Sequence, residues 1–423
     1  MTSATPQPIT LNFQNFVRVA GETIEGSVDL NVALAQEDHI EQLRIKFRGA
    51  ITTYVPENRN TEGQTRVTHT ETVPLVHSDI SLWTQGAAFP EAGSHVLVCP
   101  FRFQLPGNLP PSFICSGSSR GGAVSYSLEV VGDRPGLFRA NRRVRRIISV
   151  VPAASQIQLL ATESLRHGWM GQWKDIKQDE KLRTGIWGDY SHAWATLSIP
   201  DLPSFPIATA IPFSFHVVTE TKVMNRSERP EEKPGKPLFP APPTKSGQLT
   251  QVLHRETEIR VRGRTRHAED TFDLQGIRSL RDIETVKQLR AVEAVVDEPE
   301  WIPKDTKDRG IWRRAVHFNS TFSFPFAPTY STQNLDWVYF LQFVVPFPGI
   351  GNNLKLQFPI HLGAGSPCPP PPIGVPGSSS LTYADVLPAG PLPCLTYRHR
   401  IGPATTTTGM TRRNNPAPVY YHT

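Results

Sequence analysis

Residues 122–151 read GAVSYSLEVVGDRPGLFRANRRVRRIISVV. Val124, Tyr126, Leu128 and Val130 recur at period two, which gives a strand one apolar face. Asp133-Arg134-Pro135-Gly136 supplies a turn, because proline presets φ and glycine accepts a positive one. The chain then returns through a polar stretch to Ile147-Ile148-Ser149-Val150-Val151, and Pro152 ends the pairing. These two strands form a hairpin. Six arginines lie between Arg134 and Arg146 with no acid among them, so the hairpin carries a cationic edge suited to acidic partners.

Upstream, the same alternation repeats. Ile24, Val28 and Leu30 share a face in 23–30, and Leu43, Ile45 and Phe47 point inward while Arg44, Lys46 and Arg48 point outward. With the alternating Ile9-Thr10-Leu11-Asn12-Phe13 as the first strand, Thr65 to Leu75 gives a fourth, and His95 to Leu105 a fifth carrying Val96, Val98, Phe101 and Phe103. Leu109-Pro110-Pro111-Ser112-Phe113 is a connector that cannot be helical.

Beyond residue 156 the strand segments are 194–200, 211–218, 256–261, 315–322 and 354–362. The apolar run 337–346 has the character of a central sandwich strand. Residues 221–246 hold six prolines with mixed charge and read as a mobile insertion; residues 277–296 are rich in helix formers and predict one short helix. From 365 onward twelve prolines, a single acid (Asp385) and four successive threonines predict a disordered tail.

Length and composition agree with this division. A chain of 423 residues with 38% hydrophobic residues, eight tryptophans, 40 prolines and 30 glycines predicts an all-β sandwich protein of two domains with disordered additions. The expected boundaries are 1–155 and 156–364, followed by the 365–423 tail. A net charge of +6 is mild at this length, and no nucleic-acid-binding signature is present.

Cys99, Cys115, Cys368 and Cys394 form no CxxC pair and no disulfide framework, so no metal or cofactor is expected. Neither a signal peptide nor an apolar run long enough to span a bilayer is read, which predicts a reduced, cytosolic protein. Catalytic motifs are equally missing. His95 with Cys99, and Cys115 beside Ser116-Gly117-Ser118, lie in no nucleophile elbow, and there is no HExxH pair or phosphate loop. Trp83, Trp169, Trp173, Trp187 and Trp194 are read as core or interface residues. The expectation is a protein that is not an enzyme.

In order and spacing these segments resemble the arrestin family, specifically its fungal α-arrestin branch. The resemblance is carried by Val19-Ala20-Gly21-Glu22-Thr23-Ile24-Glu25-Gly26-Ser27-Val28, by 43–49, 109–113 and 124–151, and more weakly by 339–345 and 354–360. It implies two consecutive antiparallel, immunoglobulin-like β-sandwich domains joined by a short hinge. It also implies a cytosolic adaptor, peripheral at the plasma membrane or endosomes, that binds cytoplasmic tails or loops of membrane transporters or receptors. Such proteins link their cargo to endocytic trafficking and ubiquitination.

The strand bearing Val144-Arg145 is similar to the one on which visual and β-type arrestins place a phosphate-sensing arginine, with no matching acid legible in the second domain. Arg139, Arg142, Arg143, Arg145 and Arg146 are the candidate anion- or phosphate-binding residues, since guanidinium forks meet phosphate oxygens in pairs and stay charged. Acidic tails or anionic lipid headgroups would be their ligands. Members of this branch carry PPxY motifs for the WW domains of HECT-type ubiquitin ligases. Here Pro416, Pro418 and Tyr420 give a degenerate version lacking the first proline. The alternative is a trafficking scaffold like a retromer subunit, without ligase recruitment; an all-β lectin or hydrolase would need a polar pocket that is not legible.

Overall fold

Alternating apolar residues become strands wherever one face can be buried, and in this chain that produces two β-sandwiches in succession. The computed structural model describes residues 7–57, 67–116, 120–183, 190–228, 239–274, 293–306, 308–349 and 351–365. The segment 366–423, with the expected tail, Pro416, Pro418, Tyr420, Cys368 and Cys394, lies outside the described residues, as does Trp187.

The first sandwich contains β1 (Ile9–Phe13), β2 (Arg18–Val19), β3 (Thr23–Asn31), α1 (Val32–Glu37), β4 (Gln42–Glu57), β5 (Val67–Thr84), β6 (Val96–Gln104), β7 (Phe113–Ser116), β8 (Gly121–Asp133), β9 (Arg142–Ile148) and β10 (Val150–Val151). One sheet has the order β1-β3-β6 and the facing one β5-β4-β8-β7, with β9 also on β8; β10 pairs β2 in parallel. Ile24, Val28 and Leu30 of β3 meet Leu43, Ile45 and Phe47 of β4 and Tyr126, Leu128 and Val130 of β8, all almost wholly buried. The rings of Phe47 and Phe103 stand 5.9 Å apart across the two sheets.

A short helix α2 (Gln156–Arg166) follows. The second sandwich comprises β11 (Trp173–Arg183), β12 (Tyr190–Pro200), β13 (Phe205–Pro206), β14 (Ile211–Glu220), β15 (Met224–Asn225), β16 (Thr250–Val261), β17 (Arg264–Asp273), β18 (Glu293–Val296), β19 (Glu300–Thr306), β20 (Arg309–Phe322), β21 (Tyr330–Ser331), β22 (Leu335–Pro346), β23 (Asn353–Ile360) and β24 (Leu362–Gly363). Its sheets follow the orders β11-β12-β14-β20-β15 and β17-β16-β22-β21, with β18 and β19 on β20 and β23 on β22. Phe213 and Phe215 of the first pack on Phe343 of the second, at 5.6 and 4.9 Å between rings. Among the described residues, strands up to Val151 pair only with one another, as do those from Trp173 on.

Several expectations need correction. The last residues of the predicted 277–296 helix, 293–296, form β18, paired antiparallel with 316–319 of β20; the rest lies outside the described residues. Val96 and Val98 do not join Phe101 and Phe103 in the core. Strand parity puts Cys99, Phe101 and Phe103 inward and leaves Val96 and Val98 exposed. The fourth strand is longer than 65–75 and runs to Thr84. The expected 221–246 insertion is structured at both ends, where Met224–Asn225 pairs β20 and Pro240, Pro242 and Pro243 are buried; 229–238 lies outside the described residues. Trp173 and Trp194 are not core residues: Trp173 is exposed and Trp194 half-buried.

On the outward face of the second sandwich's first sheet, half-buried His216 of β14 faces His317 of β20, their rings stacked 4.0 Å apart and nearly parallel. Asp297 lies 3.5 Å from His317, and His216 Nε2 has no hydrogen-bond partner. Burial, and then the neighbouring His317, pull the His216 pKa below its ordinary value. The unfolded chain therefore binds more protons. Stability is complete above the unfolded histidine value of about 6.5 and falls as pH drops through the lower folded value. Urea unfolding should show a lower midpoint at about pH 5 than at about pH 7.5, and His216→Gln should reduce that difference; an unchanged difference would remove His216 as the cause.

Candidate functional site

β8 and β9 pair antiparallel from Tyr126–Ile148 to Gly132–Arg142, so the apolar arm read from the sequence is the inner strand and the arginine arm an outer one. The inward face of β8 is fixed by Val124, Tyr126, Leu128 and Val130, and the Tyr126 hydroxyl donates to the Pro110 carbonyl at 2.7 Å. Ile9 of β1 packs where a Cβ on Gly132 would be 2.8 Å away, so glycine allows the two sheets to close beside the hairpin. The connection differs from the expected tight turn. Residues 134–141 form an open loop, with φ 122° at Gly136 and 73° at Phe138. Side chains close its base in place of ladder bonds: the Asn141 Oδ1 accepts from the Arg134 backbone N–H at 3.0 Å.

The five candidate arginines are not equivalent. Arg142 forms two hydrogen bonds to Asp38, at 2.7 and 2.8 Å, and this contact holds the Asp38 carboxyl below the usual carboxylate range. Arg143 meets Glu129 at 2.9 Å. Arg139 and Arg145 have no acidic partner among the described residues, and Arg146 donates only to the Arg145 carbonyl, at 3.4 Å. All five are exposed.

Register separates them further. Arg145 stands opposite Glu129 on the outer face, whereas Arg146 stands opposite Leu128 on the core-side face at the sandwich rim. Because β9 pairs β8 and no other described strand, its second edge is open, and Arg145 and Arg146 flank that edge from both sides. β1, itself paired only with β3, lies beside it.

The opposite end of β8 meets the second sandwich. A Cβ on Gly122 would lie 2.5 Å from Leu335 Cδ2, so glycine is needed for this approach. Phe113 stacks on Trp337 with ring centres 3.9 Å apart. Arg255 of β16, nearly buried, pairs with Asp270 of β17 at 2.6 Å, donates to the Ile114 carbonyl at 3.2 Å and lies over the Phe113 ring. Thr53 donates to the Arg260 carbonyl, and Glu71 accepts from the Arg262 N–H. Sequence reasoning missed this contact. Its signal was a pair of charged residues: Arg255, just before the apolar-patterned 256–261 segment, and Asp270, on a polar strand with no period to read.

Of the imagined nucleophiles, Cys115 is buried here and burial pushes its thiol up to about 11, which leaves it unreactive at neutral pH.

Two β-sandwiches in tandem, the first closed by an arginine-edged hairpin that also contacts the second, define a class of protein. Residues 8–155 match the family model of the arrestin (or S-antigen) N-terminal domain. The match covers the first sandwich and supports an arrestin-like family for the chain. No curated protein matches it. Arrestin-family proteins are non-enzymatic adaptors or scaffolds that bind cytoplasmic regions of membrane proteins. No helix among the described residues is long and apolar enough to cross a membrane.

Proposed function

We propose that this protein is an adaptor of the α-arrestin kind. In this reading it holds acidic or phosphorylated segments of the cytoplasmic tails or loops of membrane transporters or receptors along the β9 edge. It then links them to endocytic trafficking and, through Pro416, Pro418 and Tyr420, to WW domains of ubiquitin ligases, working peripherally at the plasma membrane or endosomes. Residues 1–155 and 156–364 are its two working units.

One observation carries the cargo part. On an open strand edge Arg145 and Arg146 have no acidic partner among the described residues, while Arg142 and Arg143 beside them are held by Asp38 and Glu129. An extended segment lying along that edge would have an arginine on each side, and its backbone could pair with β9. Charge-assisted contacts to phosphate contribute about 1.5–3 kcal/mol each.

Arg145→Ala with Arg146→Ala should therefore weaken binding of a phosphorylated peptide by roughly tenfold or more, read by fluorescence anisotropy. Arg143→Ala should change it much less. Equal binding by the double variant and wild type would refute the assignment. The ligase part is tested separately, by capture on isolated WW domains with Tyr420→Ala as the comparison. Purification of the native protein in a stable stoichiometric coat complex would instead favour the scaffold reading.

A further inference from the structure

The loop between β8 and β9 is built in two layers. Its base is tied: the Arg134 guanidinium donates to the carbonyls of Asp38 and Ala140 at 2.6 and 3.2 Å, and Asn141 donates to Asp133 at 2.8 Å. Above that base stand Leu137, 89% exposed, and Phe138, 101% exposed. Phe138 is the most exposed large apolar residue among those described. Its φ of 73° lies in the left-handed region that a bulky L-residue rarely adopts. The chain thus holds an aromatic ring out in water on strained backbone, with no contact among the described residues to offset either cost.

The charge around this tip is one-sided. Asp38 and Asp133, the acids at the base of the loop, already face Arg142 and Arg44 at 2.7 Å each. Arg139, next to Phe138, has no acidic partner among the described residues.

We infer that the 134–141 tip is a membrane contact. Leu137 and Phe138 enter the boundary between headgroups and acyl chains of an anionic bilayer, and Arg139 lies against the lipid phosphates. A bilayer suits this arrangement because it receives apolar side chains without a shaped pocket and rewards adjacent cations. A two-residue tip is far too small for a stable protein interface, which needs roughly 800 Å² per partner. A phosphopeptide would meet the arginine but offer nothing to Leu137 and Phe138. The tip also stands clear of the second sandwich. From Gly122 at the Leu335 contact to Asp133 at the loop, β8 spans 12 residues, about 36 Å at strand rise. The inference is independent of which cargo the β9 edge holds.

The test is co-sedimentation of the full chain with vesicles of phosphatidylcholine alone or mixed with phosphatidylserine. Wild type should bind only the mixed vesicles, and less as salt rises. Leu137→Ser with Phe138→Asn should weaken that binding roughly tenfold or more. Asparagine tolerates a left-handed backbone, so this variant should fold at least as well as wild type. Phosphopeptide binding should be unchanged in it. Vesicle binding equal to wild type, or no binding by wild type, overturns the inference. Loss of phosphopeptide binding with vesicle binding kept overturns it too, by making the tip a peptide contact. A Phe138→Trp variant should emit at shorter wavelength on the mixed vesicles; unchanged emission contradicts insertion.

Discussion

Trp337→Ala should destabilise the protein by about 3–5 kcal/mol and loosen the contact between the two sandwiches. Trp337 is 1% exposed, its indole N–H donates to the Pro328 carbonyl at 2.7 Å, and its ring lies on Phe113 of the first sandwich. Truncation removes a large buried surface, leaves a cavity and strips the Pro328 carbonyl of its donor. It also removes the ring stack that joins the sandwiches, itself worth about 0.5–1.5 kcal/mol beyond area. Urea unfolding followed by circular dichroism should show the midpoint fall, with the transition broadening or splitting as the sandwiches lose their coupling. Trp173→Ala, at a residue 44% exposed, should shift the midpoint by no more than about 0.5 kcal/mol. Equal effects of the two substitutions would disprove the packing described at Trp337.

Asp270→Ala should cost about 3 kcal/mol, chiefly by leaving Arg255 buried without its counter-charge. The Arg255 side chain is only 8% exposed, whereas that of Asp270 is 33% exposed, which argues for the lower part of the usual range for broken buried pairs. Burial by itself pulls the Arg255 pKa down, but Tyr339 and Asp270 together push it higher still, so the guanidinium stays charged. A neutral Arg255→Met/Asp270→Leu pair should therefore recover much of the loss, because no unpaired charge remains buried. The double variant would still lack the hydrogen bond to the Ile114 carbonyl across the sandwiches. Chemical denaturation of wild type, Arg255→Met, Asp270→Leu and the double variant completes a cycle that measures the coupling. If Asp270→Ala is as stable as wild type, the pair contributes nothing to the join.

How far the sequence spoke depended on burial. Strands with one buried face announced themselves: Leu43, Ile45 and Phe47, and Val124 through Val130, sit where alternation put them. β11 and β17 escaped, because most of their side chains are exposed and polar, and without a buried face there is no period to read. Helix α2 was missed for another reason. Its signal was the capping box, with Ser155 accepting from the Gln158 N–H and Gln158 reaching back to the Ser155 N–H, and not an apolar stripe.

At the candidate site the arginines and their alternation along β9 were legible, as was the hairpin that carries them. Which of them remain without an acid was not. That depends on Asp38, which lies 104 residues from Arg142 in the chain and becomes its neighbour only through folding. The exposure of Leu137 and Phe138 was hidden for a similar reason, since a Pro-Gly turn predicts a short connection and the Asn141 side chain holds open a longer one.

The most direct test of the cargo-binding edge is amide hydrogen exchange on the full chain, with and without a saturating multiply phosphorylated peptide. The account predicts new protection along 142–148, the open strand carrying Arg145 and Arg146, and its loss in the Arg145→Ala/Arg146→Ala variant. Binding of the peptide with no change in exchange over 142–148 would contradict it.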